Sequence, residues 1–177
     1  MELTADTRIA FPKELVFTTI RDRLPALVPH LPNVRSIECQ ERREDGARTH
    51  FVNLWTAKNE VPAAAQAYVK AEMLQWTDRA TWDAEAGTCD WKIETGAFPG
   101  VVECSGRNTY RTVGNETELI IRGTLVLHLD KANVPRLVAM AVRPLIEKII
   151  VTNLGPNLVS IGTGVAAYLR SEAAKSA

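Results

Sequence analysis

Cysteine is scarce in this chain, with three in 177 residues at Cys39, Cys89 and Cys104. They are far apart, odd in number and never at the C-x-x-C spacing that zinc and redox sites prefer. The expected state is three buried free thiols in a reducing compartment. Excess charge of either sign is also missing: 21 Lys and Arg face 21 Asp and Glu. A balanced chain does not hold nucleic acid by bulk electrostatics, so no nucleic-acid partner is expected. Nor, with 46% apolar residues, does it have the low hydrophobicity and high net charge of a disordered protein. The first residues, MELTADTRIAF, lack a basic segment followed by an apolar run, which speaks against a secretory signal and for a cytoplasmic protein.

Catalytic signatures are missing as well. No Gly-rich loop is followed by Lys and Ser/Thr, and there is no G-x-S-x-G elbow. His30, His50 and His128 show no ligand spacing, so neither a metal nor a cofactor is expected. Gly162-Thr163-Gly164 falls inside a helical pattern, where small residues serve close approach rather than phosphate binding. No repeat and no Gly/Ser/Pro-rich linker divides the chain, so residues 1–177 are read as a single domain.

What is there begins with alternation. Leu3, Ala5, Thr7, Ile9 and Phe11 share one side of a half-buried strand. Pro12 then opens a helix with Leu15, Val16, Ile20 and Leu24 inward, and 25–31 forms a short second helix or turn. Asp45-Gly46 marks a hairpin between 33–43 and 47–58. Pairing Glu44 with Ala47 sets Cys39 opposite Val52, Ile37 opposite Leu54 and Glu41 opposite His50. A helix is expected from Pro62 to Leu74, then strands over 75–84 and 88–95 that carry Trp76, Trp82 and Trp91. Gly114-Asn115 joins 101–113 to 116–129. Pairing Val113 with Glu116 collects Cys104, Asn108, Tyr110, Leu119, Ile121 and Leu125 on one face. The other face holds Arg107, Arg111 and Arg122, offset by Glu103 and Glu118.

The end of the chain is helical. Pro144 starts the main helix, with a bend expected near Gly155-Pro156. Its richer side carries Leu154, Leu158, Ile161, Val165 and Leu169. From Ile149 to Leu169 no residue is charged, and 39 of the 42 charged residues precede Ile149. Such a run is long enough to span a bilayer, but Asn153, Asn157, Ser160, Thr163 and three glycines dilute it. A helix gripped by a sheet is the reading taken, with transient membrane contact left open.

Some of these words are specific. Phe11-Pro12-Lys13-Glu14-Leu15-Val16-Phe17, Asp22-Arg23-Leu24-Pro25-Ala26-Leu27 and Pro29-His30-Leu31-Pro32-Asn33-Val34 resemble the opening of START-like (SRPBCC) domains. Val134-Pro135 before a long terminal helix is similar to the polyketide cyclase/dehydrase-like and uncharacterised bacterial branches. The resemblance implies an α+β helix-grip fold: about seven curved antiparallel strands around a long C-terminal helix, with two short helices after the first strand. It also implies a cavity between sheet and helix. The expected function is binding or transport of an apolar small molecule, lipid-like or aromatic and polyketide-like. The expected lining is Asn108, Tyr110, Trp82, Trp91, Ile121, Leu125, Leu158, Ile161 and Val165. Asn108 and Tyr110 either hydrogen-bond the ligand or satisfy one another and buried water. The alternatives are a polyketide cyclase/dehydrase-type enzyme using Tyr110, Asn108 and Asp78, and a START-like protein-interaction module. Ligand identity and oligomeric state stay open.

Overall fold

The computed structural model describes residues 1–58, 74–96, 100–128, 131 and 158–175. Seven strands form one antiparallel sheet: β1 (Glu2–Ile9), β2 (Val34–Asp45), β3 (Arg48–Ala57), β4 (Gln75–Asp83), β5 (Thr88–Thr95), β6 (Val102–Val113) and β7 (Glu116–Leu127). Their order is β1-β7-β6-β5-β4-β3-β2. A helix, α1 (Lys13–Arg23), and a 3-10 segment (Leu24–His30) separate β1 from β2, and residues 158–175 are helical.

The alternation in β1 has its expected result. Leu3, Ala5 and Ile9 are buried, with Ala5 beside Ile121 and Leu3 beside Gly123 of β7. Pro12 caps α1 with φ −59° and ψ 144°, accepting the first helical hydrogen bond from Val16 N at 3.1 Å. The buried side of α1 is Val16, Phe17, Thr19 and Ile20; Leu15, expected inside, is exposed, and Phe17 takes the core position. A helix entering from Pro12 turns residues 16, 17 and 20 to one face, and 15 lies off it.

The β6–β7 hairpin has the expected register, Val113 beside Glu116 and Gly106 beside Gly123. The β2–β3 hairpin does not. Its loop is Gly46-Ala47, with Asp45 beside Arg48 and Gly46 at φ +59°. Two-residue loops of the II′ kind take glycine at that first central position. A register shift between Cys39 and Glu41 then sets Glu41 opposite Val52, Cys39 opposite Asn53 and Ile37 opposite Trp55. His50 accordingly faces Arg43, not Glu41. Thr49, Phe51, Asn53 and Trp55 point inward, so the side containing His50, Val52 and Leu54 is not the core side. β3 carries large apolar residues of both parities, and the pair with greater area, Phe51 and Trp55, takes the interior.

β2 is an edge strand, and from Glu38 onward it is exposed, Cys39 included. Its charges and irregularities discourage edge-to-edge pairing. Cys89 and Cys104 are buried as expected. The helix expected from Pro62 falls on 59–73, and the Pro144 start and the Gly155-Pro156 bend fall on 132–157; these lie outside the described residues. No helix among the described residues is long and apolar enough to cross a membrane.

Residues 158–175 close the inner side of the sheet. Leu158, Val165, Ala166 and Leu169 are buried, whereas Val159 on the other side is exposed. The glycines allow the close approach expected of them: a Cβ at Gly162 would come within 2.7 Å of Thr7 on β1, and one at Gly164 within 3.0 Å of Leu31.

Candidate functional site

The antiparallel register arranges the inner face in rows. One runs Thr49, Trp82, Cys89, Asn108, Ile121, Ala5 from β3 to β1. The next runs Phe51, Ala80, Trp91, Gly106, Gly123, Leu3. A third begins Asn53, Asp78, Ile93, Cys104. In the middle row the Trp91 indole lies across Gly106 and Gly123; a Cβ at Gly123 would sit 2.8 Å from Trp91 Cη2. From that seat Trp91 Nε1 donates to Asn108 Oδ1 at 2.8 Å. The hydrogen bond satisfies both groups away from water and fixes the ring.

Between these rows, the 3-10 segment and residues 158–161 lies a partly open cavity of about 90 Å³. Of the nine expected lining residues, it brings together Asn108, Trp82, Trp91, Leu158 and Ile161. Ile121, Leu125 and Val165 are buried in the packed core beside it and do not line it. Tyr110 does not line it either. Its ring meets Phe17 edge-to-face at 5.2 Å and lies 5.8 Å from Trp82, beneath α1. Its hydroxyl is buried and meets no partner with proper hydrogen-bond geometry among the described residues; burial pushes its pKa well up, against a smaller opposing effect of Asn108, so the phenol stays neutral.

The register difference in β3 supplies two lining residues that the sequence reading missed, Asn53 and Trp55. With them, all four tryptophans of the chain line the cavity: Trp55, Trp76, Trp82 and Trp91. Trp55 stacks on Trp76 at 5.6 Å. The signal for Asn53 was its place opposite Asp78, visible only once the strand pair is set correctly.

Asp78 is the chemical centre of this lining. Its side chain is buried, and Asn53 Nδ2 donates to Asp78 Oδ2 at a long 3.4 Å. The indole N–H of Trp55 meets no acceptor with proper hydrogen-bond geometry, yet lies near enough to favour the ionised carboxylate. Burial outweighs both neighbours and pushes the pKa up to about 6. Cys89 also lines the cavity, but burial raises its thiol pKa well above the ordinary value, which makes it a packing residue rather than a nucleophile. Arg21 lines one side and is held by Asp22 through two hydrogen bonds of 3.0 and 2.8 Å.

The other candidate groups are on the outside. His50 Nδ1 meets Thr81 Oγ1 at 3.0 Å, His128 Nε2 meets Glu103 at 2.9 Å, and the His30 ring lies edge-on to Tyr168 at 6.2 Å. Arg107 is paired with Asp90 and Arg122 with Asp6, rather than with Glu103 and Glu118. No group of three metal-ligating side chains exists among the described residues.

Comparison with family models and with curated proteins finds no match. Solved structures do match in shape. The protein TTHA0849 of Thermus thermophilus aligns over 95% of this chain and 99% of its own, with TM-score 0.64 and 24% identity. The Zhui aromatase/cyclase from a Streptomyces species aligns over 97% of each chain, with TM-score 0.66 and 16% identity. The major latex-like protein 151 of Panax ginseng aligns over 95% of this chain and 96% of its own, with TM-score 0.57 and 12% identity. At these identities the likeness is one of fold, and it agrees with the sheet order, the paired elements after β1 and the C-terminal helix described above. The chain therefore has a helix-grip fold, the fold that its resemblance to START-like domains implies.

Proposed function

We propose that this protein binds an apolar small molecule, lipid-like or aromatic, in the cavity between the sheet and the C-terminal helix. The observation that carries this reading is the lining itself: apolar and aromatic side chains around a few polar groups, Asn53, Asp78 and Asn108 among them. That is the composition of a small-molecule site. A well-packed core leaves few voids larger than a water molecule. The volume here holds several waters, or the end of a larger molecule entering from the open side. Native mass spectrometry of the freshly purified protein, with solvent extraction of anything bound, is expected to show a small-molecule adduct. If the protein also fails to take up added apolar compounds such as toluene or naphthalene, the reading is wrong.

One observation favours a second reading, an enzyme of the cyclase type. A buried carboxyl near pKa 6 inside an apolar cavity is suited to proton transfer at neutral pH. In that reading Asp78 is the acid–base group and Asn53 positions it. Tyr110, which does not line the cavity, has no part in it. The neighbouring Zhui structure is named an aromatase/cyclase, which lends support at the level of fold. The interaction-module alternative has less to support it: the exposed large apolar residues among those described are Met1, Leu15, Val126 and Val159, dispersed over separate elements.

A further inference from the structure

The proposed binding site contains a carboxylate and four indoles, and that combination says more about the ligand than apolarity does. We propose that the cavity selects apolar molecules carrying a protonated amine, whose ammonium group is received by Asp78 among Trp55, Trp76, Trp82 and Trp91. This inference rests on the reading of the cavity as a small-molecule site and specifies its ligand class.

Among the described residues Asp78 has no cationic partner. Its donor among them is Asn53, a neutral amide, at a long 3.4 Å. Among the described lining residues the cation is Arg21, and its guanidinium is already committed to Asp22 and to the face of Phe17, 5.7 Å from the ring centre. A carboxylate taken out of water without a counter-charge is costly to bury, and the elevated pKa of Asp78 expresses that cost. A bound ammonium would restore the missing counter-charge and form a charge-assisted hydrogen bond.

The rest of the lining suits the same group. The negative faces of indole rings attract cations, most strongly where water is excluded. Trp55, Trp82 and Trp91 are buried, and Trp76 is stacked on Trp55. Trp91 is held in place by the Gly106–Gly123 seat and by Asn108. The apolar body of the ligand would lie along Leu24, Leu158 and Ile161. A purely apolar ligand would cover Asp78 without replacing its lost hydration. A carbonyl ligand would present a second acceptor to an acceptor.

The test is calorimetric titration at pH 7.5 with three single-ring probes of matched shape: benzylamine, benzyl alcohol and toluene. The expected result is that benzylamine binds at least about tenfold more tightly than toluene, with benzyl alcohol between them. In Asp78→Asn, which keeps the side-chain shape and removes the charge, the amine-to-toluene ratio is expected to fall to about one or below. The ratio within each variant serves as its own control for altered folding, and far-ultraviolet circular dichroism checks that the variant is folded. Equal or weaker binding of benzylamine than toluene to the native protein would overturn the amine assignment and leave the apolar reading intact. So would an amine preference that survives in Asp78→Asn. Absence of binding by all three would overturn the apolar reading, and this inference with it.

Discussion

Asp78 is held at a cost. Its pKa stands at about 6 in the folded chain against 3.8 for the unperturbed group, because burial disfavours the carboxylate more than Asn53 and Trp55 favour it. Between these two values the folded state binds a proton that the unfolded state has lost. Stability from this group is therefore greatest below about pH 4 and declines as pH rises to about 6, by about 3 kcal/mol in all. Surface carboxylates such as the exposed Asp6 and the half-buried Asp83, whose pKa values are lowered first by hydrogen bonds (Arg122 for Asp6, the Ala86 backbone for Asp83), act in the opposite direction. The informative quantity is thus a difference. Asp78→Asn is expected to be more stable than the native protein at pH 7, with the advantage shrinking towards pH 4, by urea denaturation at both values. A gap between the two proteins that does not change with pH would show that Asp78 titrates normally. The residue types at this site were legible in part. Asp78, Trp82 and Trp91 share a strand face that alternation identifies, and Asn108 falls on the sorted face of the last hairpin. Asn53 and Trp55 were not, because β3 is apolar on both sides and alternation does not decide between them.

At the scale of elements, the register of β5, β6 and β7 makes a seat for one indole. Gly106 and Gly123 are neighbours on adjacent strands, and Trp91 lies across both. Glycine inside strands ordinarily weakens them, unless another group needs the space. A methyl group at 106 would overlap Trp91 and the backbone of β7, and neither is free to withdraw. Gly106→Ala is therefore expected to destabilise the protein by about 3 kcal/mol through overpacking and loss of the Trp91–Asn108 hydrogen bond. Equilibrium denaturation followed by tryptophan emission measures this, and a loss under about 0.5 kcal/mol would mean the seat is not tight. The Gly106–Gly123 pairing was readable from the hairpin register; its occupant was not, since Trp91 lies on a third strand. In the first hairpin Asp45-Gly46 points to a loop one position too early: the loop is Gly46-Ala47, and Asp45 still belongs to the ladder, beside Arg48.

For the molecule as a whole, a cavity between sheet and helix links stability to occupancy. A ligand that binds only the folded state at a hundred times its Kd adds about 2.7 kcal/mol. For a chain of this size that corresponds to a rise in Tm of roughly 5–10 °C. Differential scanning calorimetry with benzylamine or toluene, whichever binds more tightly, is expected to show a concentration-dependent rise of that order. A Tm indifferent to a ligand that titrates by calorimetry would mean that the ligand binds the unfolded chain equally well, and so does not depend on this cavity.

The sequence by itself determined the strand count, the two short elements after β1, the last hairpin with its register, and the apolar, charge-free character of the C-terminal helix. These follow from periodicity, from Pro and Gly at turns, and from the sorting of apolar residues to one face, all local properties of the chain. Tertiary structure alone decided which face of β3 turned inward, that Tyr110 lies behind the cavity rather than in it, and that four tryptophans from β3, β4 and β5 line one cavity together with Asp78. Those outcomes depend on competition for interior volume among residues far apart in sequence, which only the assembled sheet and helix resolve.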